Sequence, residues 1–169
     1  MTTPLPGLPA GARARVVTVS DRSSRGERAD TSGPLLAGLL AELGLVVDDV
    51  VVVPDDVPAV QEALRDAAAA AYDLVVTTGG TGLSPRDVTP EATRPLLERE
   101  APGLAEALRR QGVDAVPTAI LSRGVAGTIG PSLVVNLPGS TGGVRDGVAV
   151  LAPVLAHALA QLRGGGDHR

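Results

Sequence analysis

Residues 77–82 form a cluster of threonine and glycine that directly follows a short apolar run. Glycine admits positive φ and lets backbone N–H groups approach an anion closely, and threonine adds hydroxyl groups. The spacing matches neither the dinucleotide-binding fingerprint nor the P-loop. A tight turn would explain the glycines alone, but the polar residues 84–87 that follow favour an anion-binding loop. The members of this candidate loop are Thr78, Gly79, Gly80, Thr81 and Gly82.

Three aspartates stand where they could hold a cation beside such a loop. Asp87 precedes a predicted helix, where it is either a turn or capping carboxylate or a Mg²⁺ ligand next to a phosphate chain. Asp55 follows Pro54 and is better placed to face a cleft than Asp56, which suits the cap of the next helix. The same logic applies to Asp21. Mg²⁺ needs hard oxygen ligands, and a few carboxylates suffice when a triphosphate supplies the other oxygens.

A second candidate anion site lies at the start of the last predicted helix. Its backbone N–H groups, glycine and hydroxyls could bind an anion, although capping by Ser140 or Thr141 explains the same pattern. Asp30 fits the N-terminal cap of an earlier helix in the same way. His157 stands among alanine and leucine, which favours packing or exposure over catalysis. The residues of this candidate turn are Asn136, Pro138, Gly139, Ser140 and Thr141.

The amino-acid composition excludes several kinds of chemistry. The chain has no cysteine and all 15 basic residues are arginine, which rules out disulfides, thiol catalysis, cysteine-zinc sites and lysine-based phosphate or Schiff-base sites. With only two histidines, a multi-histidine metal site or a histidine-based triad is not expected. Tyr72 is the only aromatic residue, so platforms for stacking nucleic-acid bases are excluded. Bound phosphates would have to be held by backbone N–H groups, arginine or a metal.

Charge and hydropathy argue against nucleic-acid and membrane partners. The net charge is −4 and no basic block occurs, so attraction to DNA or anionic lipid is not indicated. The longest apolar runs, such as residues 45–53, are too short and too charged to span a bilayer. Residues 1–11 are rich in proline and glycine and lack an apolar signal segment. We therefore expect a soluble cytoplasmic protein that binds neither nucleic acid nor membrane.

Apolar runs that suit buried strands alternate with helical segments along the chain, which predicts an α/β fold with a mostly parallel sheet covered on both faces. Residues 122–137 add a predicted antiparallel hairpin at one edge. Residues 21–30 are expected to be a polar loop, and residues 116–128 fit either a short helix or a strand. The other predicted strands are residues 13–20, 45–53, 73–78 and 132–137, and the predicted helices are residues 31–43, 57–71, 89–100, 103–111 and 142–163.

The chain length of 169 residues fits one domain. We place this domain at residues 13–163, between a flexible segment at residues 1–12 and a disordered tail at residues 164–169. In an open α/β sheet, ligands bind outside the carboxyl ends of the strands. Small, polar or acidic residues follow each of four predicted strands, so the sequence predicts a polar site at one edge of the sheet. These groups are residues 20–21, 54–56, 78–82 and 138–141.

Short motifs follow one another along nearly the whole chain, from about Arg13 to Leu162. They are Ser20-Asp21-Arg22 with Gly26, residues 30–34, Pro54-Asp55-Asp56, residues 78–82, residues 86–92, Pro102-Gly103-Leu104, Leu121-Ser122-Arg123 and residues 136–140. In this order and spacing they resemble the molybdenum cofactor biosynthesis family. Members of that family include bacterial molybdopterin adenylyltransferases and the corresponding domains of plant and animal fusion proteins.

The resemblance implies a three-layer α/β/α domain that assembles as a homotrimer. It implies ATP-dependent adenylylation of molybdopterin with Mg²⁺ and release of pyrophosphate, and contact with a molybdenum-insertion protein. By motif matching, Asp55 and Asp87 take the family's important acidic positions as catalytic residues and Mg²⁺ ligands, and residues 79–82 form the main ligand loop. The other residues implied to line the pocket are Ser20, Asp21, Asp30, Ser32, Thr78, Ser122, Asn136, Pro138, Gly139, Ser140 and Thr141.

The resulting hypothesis is adenylyl transfer without a covalent enzyme intermediate. The attacking phosphate of molybdopterin is already anionic, so positioning and charge neutralisation would dominate over general-base catalysis. Two rival hypotheses use the same glycine loops. In the first, the protein binds molybdopterin or another anionic metabolite without chemistry. In the second, it is an oligomeric scaffold with no saturable ligand at the strand ends.

Overall fold

Valine- and leucine-rich runs form the strands of one seven-stranded sheet in the residues that this computed structural model describes, 3–165. β-Branched side chains suit a pleated surface, and the central strands are buried on both faces. The strands are β1 (Arg13–Val19), β2 (Val46–Val47), β3 (Val51–Val53), β4 (Leu74–Thr78), β5 (Arg99–Glu100), β6 (Ala126–Ile129) and β7 (Ser132–Leu137).

Helices cover both faces of this sheet, which confirms the predicted three-layer arrangement. The helices are α1 (Asp21–Ser24), α2 (Ser32–Glu42), α3 (Val57–Ala69), α4 (Thr89–Thr93), α5 (Pro102–Gln111) and α6 (Thr141–Leu162), with 3₁₀ turns at Arg94–Leu96 and Pro117–Leu121. One apolar cluster joins α2 and α6 to one face, and a second joins α3 and α4 to the other.

The strand order places a crevice beside the first strand. The order is β2-β1-β4-β7-β6-β5. β2 pairs with the beginning of β1, and β3 pairs with the end of β1. Pairing is parallel from β2 and β3 through β1 and β4 to β7, whereas β5, β6 and β7 pair antiparallel, as the sequence predicted for one edge. The chain leaves β1 to one side for β3 and returns to the other side for β4. Ligands bind outside the carboxyl ends of strands at such a switch point.

Two predicted segments before the third helix differ in the structure. The predicted loop at residues 21–30 begins with the short helix α1, because the Ser20 hydroxyl accepts a hydrogen bond from the Ser23 N–H and caps it. The predicted strand at residues 45–53 is two strands, β2 and β3, since the chain leaves the sheet at residues 48–50.

Two segments after the glycine loop also need correction. The predicted helix at residues 89–100 ends after Thr93, and the chain continues as a 3₁₀ turn and β5. Pro95 explains the break, because a proline in a helix interior removes a backbone hydrogen bond and clashes with the preceding turn. The undecided segment at residues 116–128 contains both a 3₁₀ turn and strand β6.

The two ends of the described chain are in contact with the domain. Leu5 and Leu8 pack against the apolar core, and the Leu5 N–H donates to the carbonyl of Leu43 at 2.9 Å, so part of the predicted flexible segment lies against the core. Of the predicted tail, Gly164 and Gly165 donate to carbonyls near the end of α6. Residues 1–2 and 166–169 lie outside the described residues.

Helix α6 is long and apolar enough to cross a membrane on length and composition alone. One side of the helix buries Val148, Leu151 and Leu155 against the sheet. This packing gives α6 the place of a core helix in the sandwich.

Candidate functional site

Four strand ends lie in register at one edge of the sheet, which we call the carboxyl edge. At the ends of β1 and β3, Val19 pairs with Val53, and at the ends of β4 and β7, Thr78 pairs with Leu137. β1 and β4 are joined by the pairing of Thr18 with Thr78. The predicted convergence of the residues that follow these strands is therefore confirmed.

The glycine loop, residues 79–82, needs glycine for two physical reasons. Gly79 and Gly80 have φ angles of +102° and +67°, which side chains rarely adopt. A Cβ on Gly79 would also overlap the carbonyl oxygen of Val19. The loop is fixed by the Gly79 N–H, which donates to the Leu137 carbonyl at 3.0 Å, and by Thr89, whose N–H donates to the Gly80 carbonyl at 3.1 Å.

Several backbone hydrogen-bond donors of this loop are unused. Within residues 3–165, the backbone N–H groups of Gly80, Thr81, Gly82 and Leu83 donate to no protein acceptor. Consecutive free N–H groups next to positive-φ glycines form the kind of concave donor set that binds anions. The loop therefore has the chemistry of a phosphate site.

Asp55 and Asp21 join the ends of β3 and β1. The Asp21 N–H donates to Asp55 Oδ2 at 2.8 Å, and the Asp55 N–H donates to Asp21 Oδ1 at 3.0 Å. Asp21 Oδ2 forms an ion pair with Arg86 at 2.6 Å. The hydrogen bond from Arg86 holds the pKa of Asp21 below its usual value. Asp21 is thus neutralised by the protein, whereas Asp55 receives only backbone hydrogen bonding.

Asp87 borders the other end of the glycine loop. Its Oδ2 accepts the Ser84 N–H at 3.0 Å, so the turn role considered from the sequence is present. A Cβ placed on Gly82 would lie 2.8 Å from Asp87 Oδ2, and one on Gly80 would lie 3.2 Å from Asp55 Oδ1. The two acids predicted to be catalytic therefore both lie against the glycine loop.

The electrostatics of this acidic group fit a bound cation. Burial raises the pKa of Asp55, and the nearby carboxylates of Asp21 and Asp87 raise it further. Excess negative charge beside free N–H donors suits a divalent cation that accompanies a phosphate ligand. No cluster of three or more histidine, cysteine or acidic residues able to hold a metal occurs among residues 3–165. Mg²⁺ fits such a set, because it is commonly held by one or two carboxylates and the substrate phosphates.

A polar cleft of about 370 Å³ opens on one side of the glycine loop; we call it the hydroxyl cleft. Ser32, which is only 7% exposed, faces it, and its hydroxyl has no hydrogen-bond partner within the described residues. Arg28 is the one cationic side chain in its lining, and the guanidinium makes no ion pair within residues 3–165. The predicted site residues that line this cleft are Ser20, Asp30, Ser32, Thr78, Gly79, Gly139 and Ser140.

A second cleft, of about 400 Å³, opens where the glycine loop ends; we call it the apolar cleft. Leu83, Val116 and Leu121 give it an apolar wall, and all three are exposed. Ser140 lines both clefts, so the two are adjacent. The predicted site residues in this lining are Thr81, Gly82, Ser122, Pro138 and Ser140.

Several predicted site residues have other positions or partners. Four that lie at the carboxyl edge line neither cleft: Asp21, Asp55, Gly80 and Asp87. Asn136 is 2% exposed, and its amide group donates to Thr77 and Thr93 inside the protein, so it faces the interior rather than either cleft. The Asp30 carboxylate accepts the Gly33 N–H at 3.0 Å, which is the capping role considered from the sequence. Thr141, the first residue of α6, is exposed and lines neither cleft.

Two arginines that were not predicted as site residues contribute to the site. Arg28 precedes Asp30 in the polar segment after β1, and Arg123 binds the glycine loop through its backbone and side chain. In a chain without lysine, an arginine near a glycine motif is the only source of fixed positive charge. That feature favours arginines as site residues in general, but the contact of Arg123 with the loop depends on the fold and has no signal in the sequence.

The chain matches a known protein family over most of its length. The family described as "Probable molybdopterin binding domain" matches residues 15–157, which include every strand end of the carboxyl edge. The chain belongs to the molybdenum cofactor biosynthesis family. The resemblance found in the sequence motifs is thereby confirmed.

Individual relatives in this family agree over most of the chain. A molybdopterin biosynthesis protein from Mycobacterium abscessus is 54% identical in its crystal structure, with a TM-score of 0.87 over 90% of this chain and 97% of that chain. Molybdenum cofactor biosynthesis protein B of Bacillus cereus is 40% identical over 162 residues, or 91% of this chain and 92% of that protein.

Some relatives in the family are much longer. A molybdenum cofactor biosynthesis bifunctional protein of Synechococcus elongatus is 41% identical over 162 residues, which are 96% of this chain. The chain spans about half, 50%, of the length of that curated relative.

Proposed function

We propose that this protein adenylylates molybdopterin with Mg²⁺ and ATP, giving adenylylated molybdopterin and pyrophosphate in molybdenum cofactor biosynthesis. The observation that carries the proposal is the meeting of two adjacent clefts at the glycine loop, the hydroxyl cleft at Gly79 and the apolar cleft at residues 81–83, with Asp55 and Asp87 against that loop. An adenylyl transfer needs such a pair of clefts, because two phosphate-bearing substrates must meet at their phosphates. The names of the relatives, which refer to molybdopterin biosynthesis, supply the substrate class.

The proposed reaction joins one phosphate to another. An oxygen of the terminal phosphate of molybdopterin attacks the α-phosphorus of ATP and forms a new P–O bond. The bond from the α-phosphorus to the bridging oxygen breaks, and pyrophosphate leaves with the electron pair. No strong base is needed, because the attacking oxygen is already anionic. The protein's main task is to bring two negatively charged groups together.

The residues of the carboxyl edge suit that task. The free N–H groups of residues 80–83 would bind phosphate oxygens, where they stabilise the charge that develops during transfer. Arg28 would add a positive charge from the hydroxyl cleft. Asp55 and Asp87 would hold Mg²⁺, which neutralises phosphate charge when it is bound. Arg86 keeps Asp21 paired and so leaves Asp55 and Asp87 for the cation.

Release of pyrophosphate from ATP tests the proposal directly. We expect Mg²⁺-dependent release when purified molybdopterin is present and none when it is omitted. Tight binding of molybdopterin without release of pyrophosphate would instead support the alternative, a molybdopterin-binding protein of the same pathway without adenylyltransferase activity. The description of the matched family as a probable molybdopterin binding domain favours that alternative as the second candidate. Absence of any saturable ligand would leave the scaffold role.

Assembly, location and partners belong to the same proposal. We expect a homotrimer that acts in the cytoplasm and passes its product to a molybdenum-insertion protein. The trimer and the partner are expected from the resemblance of the sequence motifs to the family, and the location from the charge and hydropathy of the sequence. Analytical ultracentrifugation would test the trimer, and a monomer at all accessible concentrations would contradict it.

A further inference from the structure

Arg123 makes an unusual number of contacts with the glycine loop from the far side. Its backbone N–H donates to the Thr81 carbonyl at 2.8 Å, and its Nε donates to the Gly82 carbonyl at 2.8 Å. Its Nη2 donates to the carbonyl of Asp87 at 2.9 Å. One residue therefore holds three carbonyl groups of the segment that carries the free N–H donors and the second acid.

Glu91 on α4 fixes the guanidinium from the opposite direction. Its carboxylate forms an ion pair with Arg123 Nη1 and a further contact with Nη2 at 3.4 Å. The hydrogen bond from Arg123 lowers the pKa of Glu91, so the carboxylate stays charged over a wider pH range. The Arg123 side chain is 34% exposed, which leaves it partly shielded from solvent.

The direction of these hydrogen bonds decides where the free donors point. In a trans peptide, the carbonyl and the next N–H group point in opposite directions. Since Arg123 binds the carbonyls of Thr81 and Gly82, the N–H groups of Gly82 and Leu83 point away from it. These two N–H groups have no acceptor within residues 3–165. The backbone of Arg123 thus directs the Gly82 N–H, and its side chain directs the Leu83 N–H, to the ligand side of the loop.

Arginine is suited to this task and lysine is not. The guanidinium is a planar fork whose donors reach several separated acceptors at once, whereas an ammonium group is a compact point charge. The Gly82 carbonyl, the Asp87 carbonyl and the Glu91 carboxylate are bound through different nitrogens of the same group. A lysine could keep the ion pair with Glu91 but would lose the fork.

We propose that Arg123 is a positioning residue that orients the N–H groups of the glycine loop and the backbone of Asp87 toward the ligand phosphates, with Glu91 fixing its orientation. The consequence for catalysis rests on the proposed function; the consequence for loop geometry does not. The side chain of Arg123 points to loop carbonyls and acts on the ligand only through them.

The loop geometry is tested by amide hydrogen exchange in the ligand-free protein. The N–H groups of Asp87 and Thr89 report on the loop, because they donate to the carbonyls of Ser84 and Gly80. We expect Arg123→Gln and Arg123→Lys each to raise their exchange rates about tenfold or more, while the amides of β4 are unchanged. Glu91→Gln leaves Arg123 in place and should give a smaller increase. This variant keeps the test decisive if the arginine variants fail to fold. Arg94→Gln, which breaks the exposed pair with Glu100, is the matched control and should change neither probe.

The catalytic consequence is tested by a double-mutant cycle. Arg123→Gln should lower kcat about 10- to 100-fold with a smaller change in KM, and its effect should be smaller when Asp87 is already asparagine, because the part that acts through Asp87 is then absent. Additive losses in the cycle would overturn the proposal, and so would restoration of wild-type rates by Arg123→Lys. In the exchange experiment, unchanged rates at Asp87 and Thr89, or rates that rise equally in β4, would overturn it as well. If the wild-type protein releases no pyrophosphate, the proposed function fails; localised exchange changes in the variants would still support the positioning of the loop.

Discussion

The two edges of the sheet treat their charges in opposite ways. At the amino edge, where the parallel strands begin, charges are paired within the protein. Asp73 binds Arg163 at 2.7 and 2.9 Å and accepts the Arg13 N–H at 2.8 Å. Asp48 accepts a hydrogen bond from Tyr72 at 2.5 Å and pairs with Arg13 at 3.3 Å. Burial alone would raise the pKa of Asp73, but Arg163 and the Arg13 N–H hold it below its usual value.

At the carboxyl edge Asp21 is paired with Arg86, but several other polar groups are left without such partners. Asp55 has a raised pKa because of burial and of its neighbours Asp21 and Asp87. Arg28 lines the hydroxyl cleft without an ion pair, and the N–H groups of residues 80–83 have no acceptor within residues 3–165. The same four strands supply both edges. The difference indicates that one edge is built for stability and the other for a charged ligand.

The largest expected effect comes from removing the acidic groups at the carboxyl edge. Asp87→Asn and Asp55→Asn should each lower the rate of pyrophosphate release about 10²- to 10³-fold, because the charge that would hold Mg²⁺ is lost while the fold persists. Asp56→Asn is the matched control, since the exposed Asp56 caps α3 through the Ala59 N–H and asparagine caps equally well. Steady-state kinetics measure the rates, and wild-type turnover in both variants would remove the acids from the mechanism.

The next effect concerns the amino edge and stability alone. Asp73→Asn should lower the free energy of unfolding by about 1–2 kcal/mol at pH 7, because the nearly buried Asp73 loses charge-assisted hydrogen bonds while the exposed guanidinium of Arg163 is resolvated. Since the folded pKa of Asp73 is lowered, this stabilisation is present above the ordinary value of 3.8 and is lost as the pH falls through the folded value. Urea unfolding should show this loss with kcat unchanged. Asp49→Asn at the same edge is the control, and a large fall in kcat for Asp73→Asn would contradict the division between the edges.

A smaller effect is expected at the hydroxyl cleft. Arg28→Gln should weaken binding of whichever substrate, ATP or molybdopterin, occupies the hydroxyl cleft about 3- to 10-fold, because one charge-assisted contact with phosphate is lost at an exposed position. Arg25→Gln is the matched control, since Arg25 pairs with Glu27 and does not line the cleft. Isothermal titration calorimetry measures both affinities. Equal weakening in the two variants would show a general effect of net charge.

The smallest effect has the opposite sign to that of Asp73. The folded pKa of Asp55 is raised, so its ionisation makes the protein less stable as the pH rises from 3.8 through the folded value. Asp55→Asn removes this penalty and keeps an acceptor for the Asp21 N–H. We expect a gain of up to about 1 kcal/mol in the free energy of unfolding at pH 7, because half-exposure limits it. Below both pKa values the gain should disappear, and a loss of stability at pH 7 would contradict the account.

Much of the fold was accessible from the sequence because its strands are short apolar runs that end in glycine, proline or aspartate. The runs at β1, β4 and β7 each predicted a buried strand, and these three strands pair in parallel in the structure. The helix predicted over residues 89–100 failed because Pro95 stops it early. The break between β2 and β3 was missed because valine continues on both sides of Asp48 and Asp49.

The site was accessible where function depends on residue type and hidden where it depends on side-chain direction. The positive φ of Gly79 and Gly80 follows from the residue itself. Periodicity could not show that Asn136 turns its amide toward Thr77 and away from the clefts. Nor could it show that Arg123 reaches the loop across 41 residues of sequence, because that contact depends on the packing of the antiparallel edge.

A crystal structure of the protein with molybdopterin and a non-hydrolysable ATP analogue tests the central claim most directly. The account predicts that the phosphates of the two ligands meet at the N–H groups of residues 80–83, with Asp55 and Asp87 on the cation between them. Ligand phosphates bound away from this loop, with its N–H groups still facing solvent, would contradict it.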